Sequence, residues 1–321
     1  MSSRRLVRSG KTSFTIAMPI DWVRQYDLDA GDEVQIHEVP DGSLSIHPPL
    51  KADVSVPARE KRVILIDELS EIEVRNEVLI AYVQGSGLIS LEGGEVSSRA
   101  SRLTSIIQEF IGLAVIEQGP EFILVKDFFV LDQDTIPFSV VRKMSYINRS
   151  VFDSLKESFS QSLSKGTLYE VEQLVRQNTR LRSVVQKSGV SLLASPSQMR
   201  AHNQDSIFLM KLPQYANGFA RIGEQLHEIA ETLFVLDYDA SEAVFVKKLF
   251  SRVHSAHQEV LEAIINSKDV VLKNFLSRAD TLDRSLSDAA GKLSDALYGR
   301  LIALLWALHV NLRELAFVAV F

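Results

Sequence analysis

The chain has 321 residues, of which 46% are hydrophobic and 24% are charged, and its formal net charge is -6. This length exceeds a usual single core, so two or three domains are expected, and the composition is that of a globular protein rather than a disordered one. There is no cysteine, which excludes disulfides, thiolate metal sites and cysteine nucleophiles.

The N-terminal stretch MSSRRLVRSG lacks the apolar core of a signal peptide. The most apolar stretch near the C-terminus, LIALLWALHV, is bracketed by Arg300 and Arg313. These charges leave too few apolar residues to cross a bilayer. We therefore expect a buried helix here, no membrane insertion, and a cytoplasmic protein.

Residues 1–50 are predicted to form a small β domain with one short helix. SFTIAMP alternates as a half-buried strand does, Pro19 suits a helix start, and two further strands flank the Asp41-Gly42 hairpin signal. About fifty residues of this kind cannot bury an adequate core alone. An obligate dimer would supply the missing surface.

The triplet Gly10-Lys11-Thr12 is part of the GKT signature of a nucleotide-binding loop, but its surroundings exclude that interpretation. Such a loop needs a glycine five residues earlier, where Arg5 stands, and it opens a helix rather than a strand. We predict a turn in which Gly10 permits the bend.

Residues 51–62 are predicted to be a linker, and residues 63–132 a small α/β domain of order βαβαββ with helices on one face. Gly85 is expected to end the first helix. Ser97 or Ser98 is expected to open the second helix, and Gly112 to stop it.

Residues 136–321 are predicted to be helical throughout. The heptad-like series Phe219, Ile222, Leu226, Ile229, Leu233 and Leu236 advances by three and four residues, as in a bundle seam. Six long helices indicate two three-helix bundles, and Pro196 and Pro213 are expected to break or kink the chain near the middle of this region. The predicted fold class is a multidomain α+β protein.

The N-terminal pattern resembles a known DNA-binding family. A basic arm formed by Arg4, Arg5, Arg8 and Lys11 begins this pattern. This arm, Gly10 and the stretches SFTIAMP, DWV, LDAGDEV and DGSLSIHP are similar to the swapped-hairpin domain of AbrB/SpoVT-type regulators. This resemblance covers nearly all of the first fifty residues, and it implies a dimeric DNA reader.

The helical part resembles a PhoU domain, most clearly at ARIGEQLHEIAETL and RADTLD. In this domain order the whole chain is similar to archaeal proteins described as PhoU-type phosphate uptake regulators. The resemblance implies a transcriptional regulator linked to phosphate uptake, with the helical domain sensing a signal or docking a partner. The alternative is an adaptor that forms oligomers through the hairpin domain and contacts a phosphate transporter component without binding DNA.

The resemblance implies that the basic arm and the first loop approach the phosphate backbone. The residues expected there are Arg4, Arg5, Arg8, Lys11 and Thr12, and Arg24 is the only cation near the first helix. Two-fold pairing would cluster these cations, which gain affinity by releasing condensed counterions. Family members often carry basic residues after the first-strand proline, where this chain has Ile20 and Asp21. Asp21 would repel a phosphate.

PhoU domains resemble one another in carrying acidic helix motifs that bind iron or zinc. In the first repeat Asp153 and Glu157 have that spacing, but Arg182 would oppose a cation, and Asn178 falls in a seam where a buried register-fixing role is expected. The second repeat keeps Glu224, Glu228, Asp280 and Asp283. At most one site for a divalent metal, iron or zinc, is therefore expected. The alternative is that these acids simply form the solvent-exposed face of the helices.

No set of acid, base and nucleophile is recognisable, so an enzyme is not expected. His254 and His257 are three residues apart and could ligate a metal. Their position beside the apolar residues Val253 and Val260 favours a helix face packed in the bundle.

Overall fold

The computed structural model describes residues 4–11, 13–38, 44–48, 61–132, 136–159, 162–195, 206–236, 240–290 and 296–320. The chain divides into two compact units, residues 1–58 and residues 59–321. It is a mixed α+β protein dominated by helix. Each unit is described on its own below.

The first unit contains two small antiparallel sheets and one short helix. Strand β1 (Val7–Ser9) pairs with β2 (Ser13–Thr15), and β3 (Gln35–Glu38) pairs with β4 (Leu44–His47). Helix α1 (Ile20–Gln25) follows Pro19, whose extended backbone precedes the first helical turn. Residues 39–43, which include the predicted Asp41-Gly42 turn, lie outside the described residues.

The second unit begins with a four-stranded sheet of order β5-β6-β8-β7. Its strands are β5 (Lys61–Leu65), β6 (Leu88–Glu92), β7 (Leu113–Gln118) and β8 (Phe122–Asp127), and only the β5–β6 pair is parallel. Helices α2 (Glu71–Val83) and α3 (Val96–Gln108) complete the order βαβαββ. Because β5 starts at Lys61, the last two residues of the predicted linker belong to the sheet.

The two helices of this sheet region begin with different caps. Ser70 and Glu73 form a reciprocal capping box at α2. The prediction that Ser97 or Ser98 opens the second helix was wrong, since α3 begins at Val96 and Asp67 caps it from the loop after β5. The Asp67 carboxylate accepts hydrogen bonds from the backbone N–H groups of Gly94 and Glu95, both at 3.0 Å. These bonds lower the pKa of Asp67.

Six long helices follow, and they pack in two groups of three around one continuous apolar core. The first group comprises α4 (Pro137–Ser158), α5 (Lys165–Ala194) and α6 (Ser206–Val235). The second comprises α7 (Ala240–Ile265), α8 (Asp269–Ala290) and α9 (Ala296–Val320). Contacts of α6 with α9 and of α4 with α7 join the groups.

The predicted seam of α6 is confirmed, because all six of its apolar residues are buried. The break expected at Pro213 is absent, because α6 continues through this residue, and Pro196 lies outside the described residues. Helix α9 is long and apolar enough to cross a membrane by length and composition. It packs against α6, α7 and α8, however, and Leu301, Leu308 and Leu312 on it are fully buried, as in the core helix of a bundle.

A buried ion pair ties the sheet region to the first helical group. The ammonium of Lys187 on α5 contacts the carboxylate of Asp127 at the end of β8, and it donates to the backbone oxygen of Tyr82 at 2.9 Å. Its Nζ also lies 4.1 Å from the centre of the Tyr82 ring. Burial raises the pKa of Tyr82, and the charge of Asp127 raises it further. Lys187 therefore joins α5 to both β8 and the end of α2.

Candidate nucleic-acid interface

Part of the basic arm is built into a tight hairpin, because Arg8 lies in its first strand and Lys11 in its turn. Arg8 lies opposite Phe14 in the β1–β2 register, and Gly10 turns the chain with a backbone φ of 84°. A φ in this region favours glycine. Thr15 Oγ1 donates to the Val7 oxygen at 3.2 Å and reinforces the pairing. The prediction that Gly10 and Lys11 form a turn, with a strand and not a helix after it, is confirmed.

The predicted DNA-binding cations lie on or directly before this hairpin and are exposed. They are Arg4, Arg5, Arg8 and Lys11. Arg8 donates to the Lys11 backbone oxygen at 3.3 Å, which brings these two residues together at the turn. Thr12 lies outside the described residues.

Arg24 and Asp21 are both exposed on α1, in its last and first turns respectively. The described part of the first unit up to Arg24 therefore presents five cations and one carboxylate, and Asp21 is that carboxylate. An excess of exposed cations over one short segment attracts a polyanion. Four exposed acids of the same unit, Asp27, Asp29, Asp32 and Glu33, follow directly, so this excess is local to the hairpin and α1.

The first unit also exposes many of its large apolar side chains. Leu28 is the only buried residue among those described in it. Seven large apolar side chains are between 48 and 69% exposed: Leu6, Val7, Phe14, Ile16, Ile20, Ile36 and Leu44. Exposed apolar surface on this scale is typical of interaction sites.

The four acids of the expected metal site do not form one cluster. Glu224 and Glu228 are exposed on α6. Asp280 and Asp283 on α8 instead pair with Arg313 of α9, whose guanidinium lies 3.3 Å from Asp280 and also contacts Asp283. A guanidinium held between two carboxylates neutralises the charge that a cation would need. Among the described residues no group of three or more His, Asp or Glu is placed to hold a metal. The expected site is therefore not supported.

The two histidines of α7 are buried in an aromatic cluster at the joint with α4. The ring of His254 stacks on Phe152 with centroids 4.9 Å apart, and the ring of His257 lies 4.4 Å from the same phenyl ring. His254 Nε2 is 3.5 Å from a carboxylate oxygen of Asp153. The predicted packed helix face is confirmed for both histidines.

His257 has no hydrogen-bond partner for either ring nitrogen among the described residues. Burial, with smaller contributions from the nearby His254 and Arg149, lowers the pKa of His257 to about 3. Burial also lowers the pKa of His254, although Asp153 opposes that shift. Both imidazoles are therefore neutral at neutral pH and act as packing groups.

Comparison with models of known protein families, with curated proteins and with solved structures finds no match to this chain.

Proposed function

We propose that this protein is a dimeric DNA-binding transcriptional regulator that contacts DNA through the first unit. The observation that carries the proposal is the coincidence, in one small unit, of an exposed basic hairpin and an uncovered apolar surface. A second copy would cover the apolar side chains and double the number of cations. Two basic hairpins related by a two-fold axis match the pseudo-symmetry of a duplex site.

The proposed contacts are mainly to phosphates. Arg4, Arg5, Arg8 and Lys11 are long cationic side chains on a hairpin that presents no base-reading helix. Such side chains position a protein on the duplex and make its affinity depend steeply on salt. Arg24 on α1 is the cation that would add a contact beside the hairpin, whereas Asp21 would weaken binding at the same helix.

The proposed target genes are those of phosphate uptake. The resemblance of the sequence pattern to archaeal PhoU-type phosphate uptake regulators supports these targets. The six-helix part would receive a signal or dock a partner. The buried Lys187–Asp127 pair connects that part to the sheet region within one compact unit.

The second candidate function is an adaptor without DNA affinity. Exposed Asp21 and the acidic net charge favour it. In this case the first unit only forms oligomers, and the helical part contacts a phosphate transporter component or another regulator.

Fluorescence anisotropy of the full chain separates the two candidates. The labelled duplexes are the region upstream of its own gene and a scrambled version, each measured across a salt series. The test variant is the triple change Arg4→Ala, Arg5→Ala and Arg8→Ala. The control variant changes Lys273, Arg284 and Arg300 to Ala, which removes the same number of exposed cations from α8 and α9.

The regulator is expected to bind its own upstream region more tightly than the scrambled duplex and to lose affinity as salt rises. The triple arm variant is expected to lose binding and to flatten the salt dependence, while the control retains both. Absence of binding at low salt would refute the regulator and leave the adaptor. Equal losses in both variants would show that the hairpin is not the contact surface.

A further inference from the structure

A groove of about 970 Å³ lies between α5 and the residues of α2, α3 and the 109–111 connection. It belongs to the second unit alone, and its walls come from both the sheet region and the first helical group. Its volume is that of a site for a small organic molecule, and sites of this kind occur preferentially where two structural regions meet.

The groove is basic although the chain is acidic. Three arginines line it, Arg75, Arg176 and Arg180, against one glutamate, Glu109. Arg75 Nε pairs with Glu109 at 2.5 Å, and Arg176 pairs with Glu172 one turn away on α5 at 2.6 Å. Arg180 is exposed and forms no hydrogen bond or ion pair with the described residues.

An unpaired guanidinium beside two paired ones leaves the groove short of negative charge. Guanidinium groups offer planar pairs of N–H donors that match phosphate and carboxylate oxygens. Each of Arg75 and Arg176 also keeps donors beyond those used by its partner, because a guanidinium has five N–H groups. A ligand with two or more negative charges would satisfy Arg180 and share these remaining donors.

The other polar side chains of the groove indicate an organic anion rather than a bare inorganic one. The amides of Gln108 and Gln177 line it from opposite walls, on α3 and α5. Each amide supplies both a donor and an acceptor. A ligand that carries hydrogen-bonding groups beside its charges would use them, whereas a small inorganic ion would not span both walls.

We propose that this groove binds a small organic polyanion, which bridges α5 and the sheet region. The phosphates of a nucleotide and the carboxylates of a polycarboxylic acid share the required chemistry. The site adjoins the core that holds the two regions together, because Phe110 and Ile111 line the groove and the Tyr82 hydroxyl donates to the Ile111 oxygen at 2.8 Å. Binding there would fix the arrangement of the two regions more tightly.

Isothermal titration calorimetry on the full chain, without DNA, tests this site with ATP, citrate and inorganic phosphate as separate probes. We expect ATP or citrate to bind with a Kd below about 1 mM. Arg180→Gln is expected to weaken that binding about tenfold or more, since it removes the unpaired guanidinium. Arg300→Gln, an exposed arginine on α9 outside the groove, is the matched control and is expected to bind as the wild type does.

A gain-of-affinity variant keeps the test independent of misfolding. Glu109→Gln removes the one lining carboxylate and frees Arg75, so it is expected to tighten binding several-fold. No binding of ATP or citrate at about 1 mM, or equal affinities in wild type and Arg180→Gln, would overturn the proposal. Binding of phosphate alone would overturn the assignment to an organic ligand.

The triple variant of Arg4, Arg5 and Arg8 is expected to bind the probe as the wild type does, because those residues belong to the other unit. The groove and the proposed DNA contact can therefore fail separately.

Discussion

His257 contacts a single aromatic cluster and has both ring nitrogens buried without partners among the described residues. Its neutral imidazole is tolerated because it packs as an apolar ring would. Protonation would place a charge beside His254 and Arg149, with no described partner for either N–H group. This residue links solution pH to the joint between α4 and α7.

Acid is expected to destabilise the fold through His257. Its folded pKa of about 3 lies below the unfolded value of 6.5, so between these pH values the unfolded chain binds a proton that the folded chain does not. The stability that the neutral imidazole contributes is complete when the pH is above the pKa of the unfolded chain. It falls as the pH drops below that pKa. The loss from this residue at pH 5, relative to pH 7, is expected to be about 2 kcal/mol.

Urea denaturation of the wild type and of His257→Leu at pH 7 and pH 5 measures this effect. The variant is expected to lose less stability between the two pH values, because it has no imidazole to protonate. Equal losses in the two proteins would contradict the assignment, whatever their absolute stabilities.

The sequence pattern predicts some buried polar residues and misses others. Asn178 was predicted as a buried polar residue because it interrupts an apolar seam, and in the structure it donates to Asn148 at 2.7 Å with no exposure to solvent. Lys187 and Asp127 gave no such signal, since their pairing joins residues 60 apart in the chain. The metal expectation was not supported for a related reason, because Arg313 reaches Asp280 and Asp283 from a different helix.

At the scale of elements, strands and helices followed from periodicity, whereas their ends depended on distant residues. The α3 start is set by Asp67, which precedes it by 29 residues and supplies hydrogen bonds that Ser97 does not. Local capping rules cannot identify such a partner. The contact between α6 and α9 is likewise invisible in either helix alone, although it holds the two helical groups together.

Gly218 tests the α6–α9 contact, and Gly189 serves as its control. A Cβ at Gly218 on α6 would lie 2.5 Å from Cδ2 of Leu315, which is buried on α9, so Gly218→Ala is expected to displace this side chain and disturb the packing of the two helices. Gly189 on α5 has nothing within 4 Å of the same position. Gly189→Ala is therefore expected to stabilise the protein by about 0.5–1 kcal/mol through helix propensity. Gly218→Ala is expected to destabilise it by about 1–3 kcal/mol.

Thermal unfolding of both alanine variants beside the wild type checks these signs. Stabilisation by both substitutions would mean that α6 and α9 do not approach each other as closely as the structure shows. Both substitutions add one methyl group to a long helix, so helix propensity should favour both. A stability change of opposite sign at Gly218 would therefore report the packing against α9.

At the scale of the whole molecule, the two units differ in how they meet the requirement for a buried core. The second unit buries two extensive apolar clusters, whereas the first buries Leu28 alone among its described residues. Phe14, Ile36 and Leu44 remain between 59 and 67% exposed there. A unit with so little buried surface gains too little hydrophobic stabilisation to offset the entropy of ordering it.

The full chain is accordingly expected to associate through the first unit. Light scattering coupled to size-exclusion chromatography should give the wild type the mass of a dimer or a larger assembly. The double variant Phe14→Ser with Ile36→Ser should have a mass closer to that of a monomer. The matched control is Ile72→Ser with Val270→Ser, two exposed apolar residues of the second unit that should leave the mass unchanged.

The first double variant should also lose DNA affinity, because association is what brings two basic hairpins onto one duplex. A wild-type monomer that still bound DNA would contradict this coupling, since one hairpin would then be sufficient.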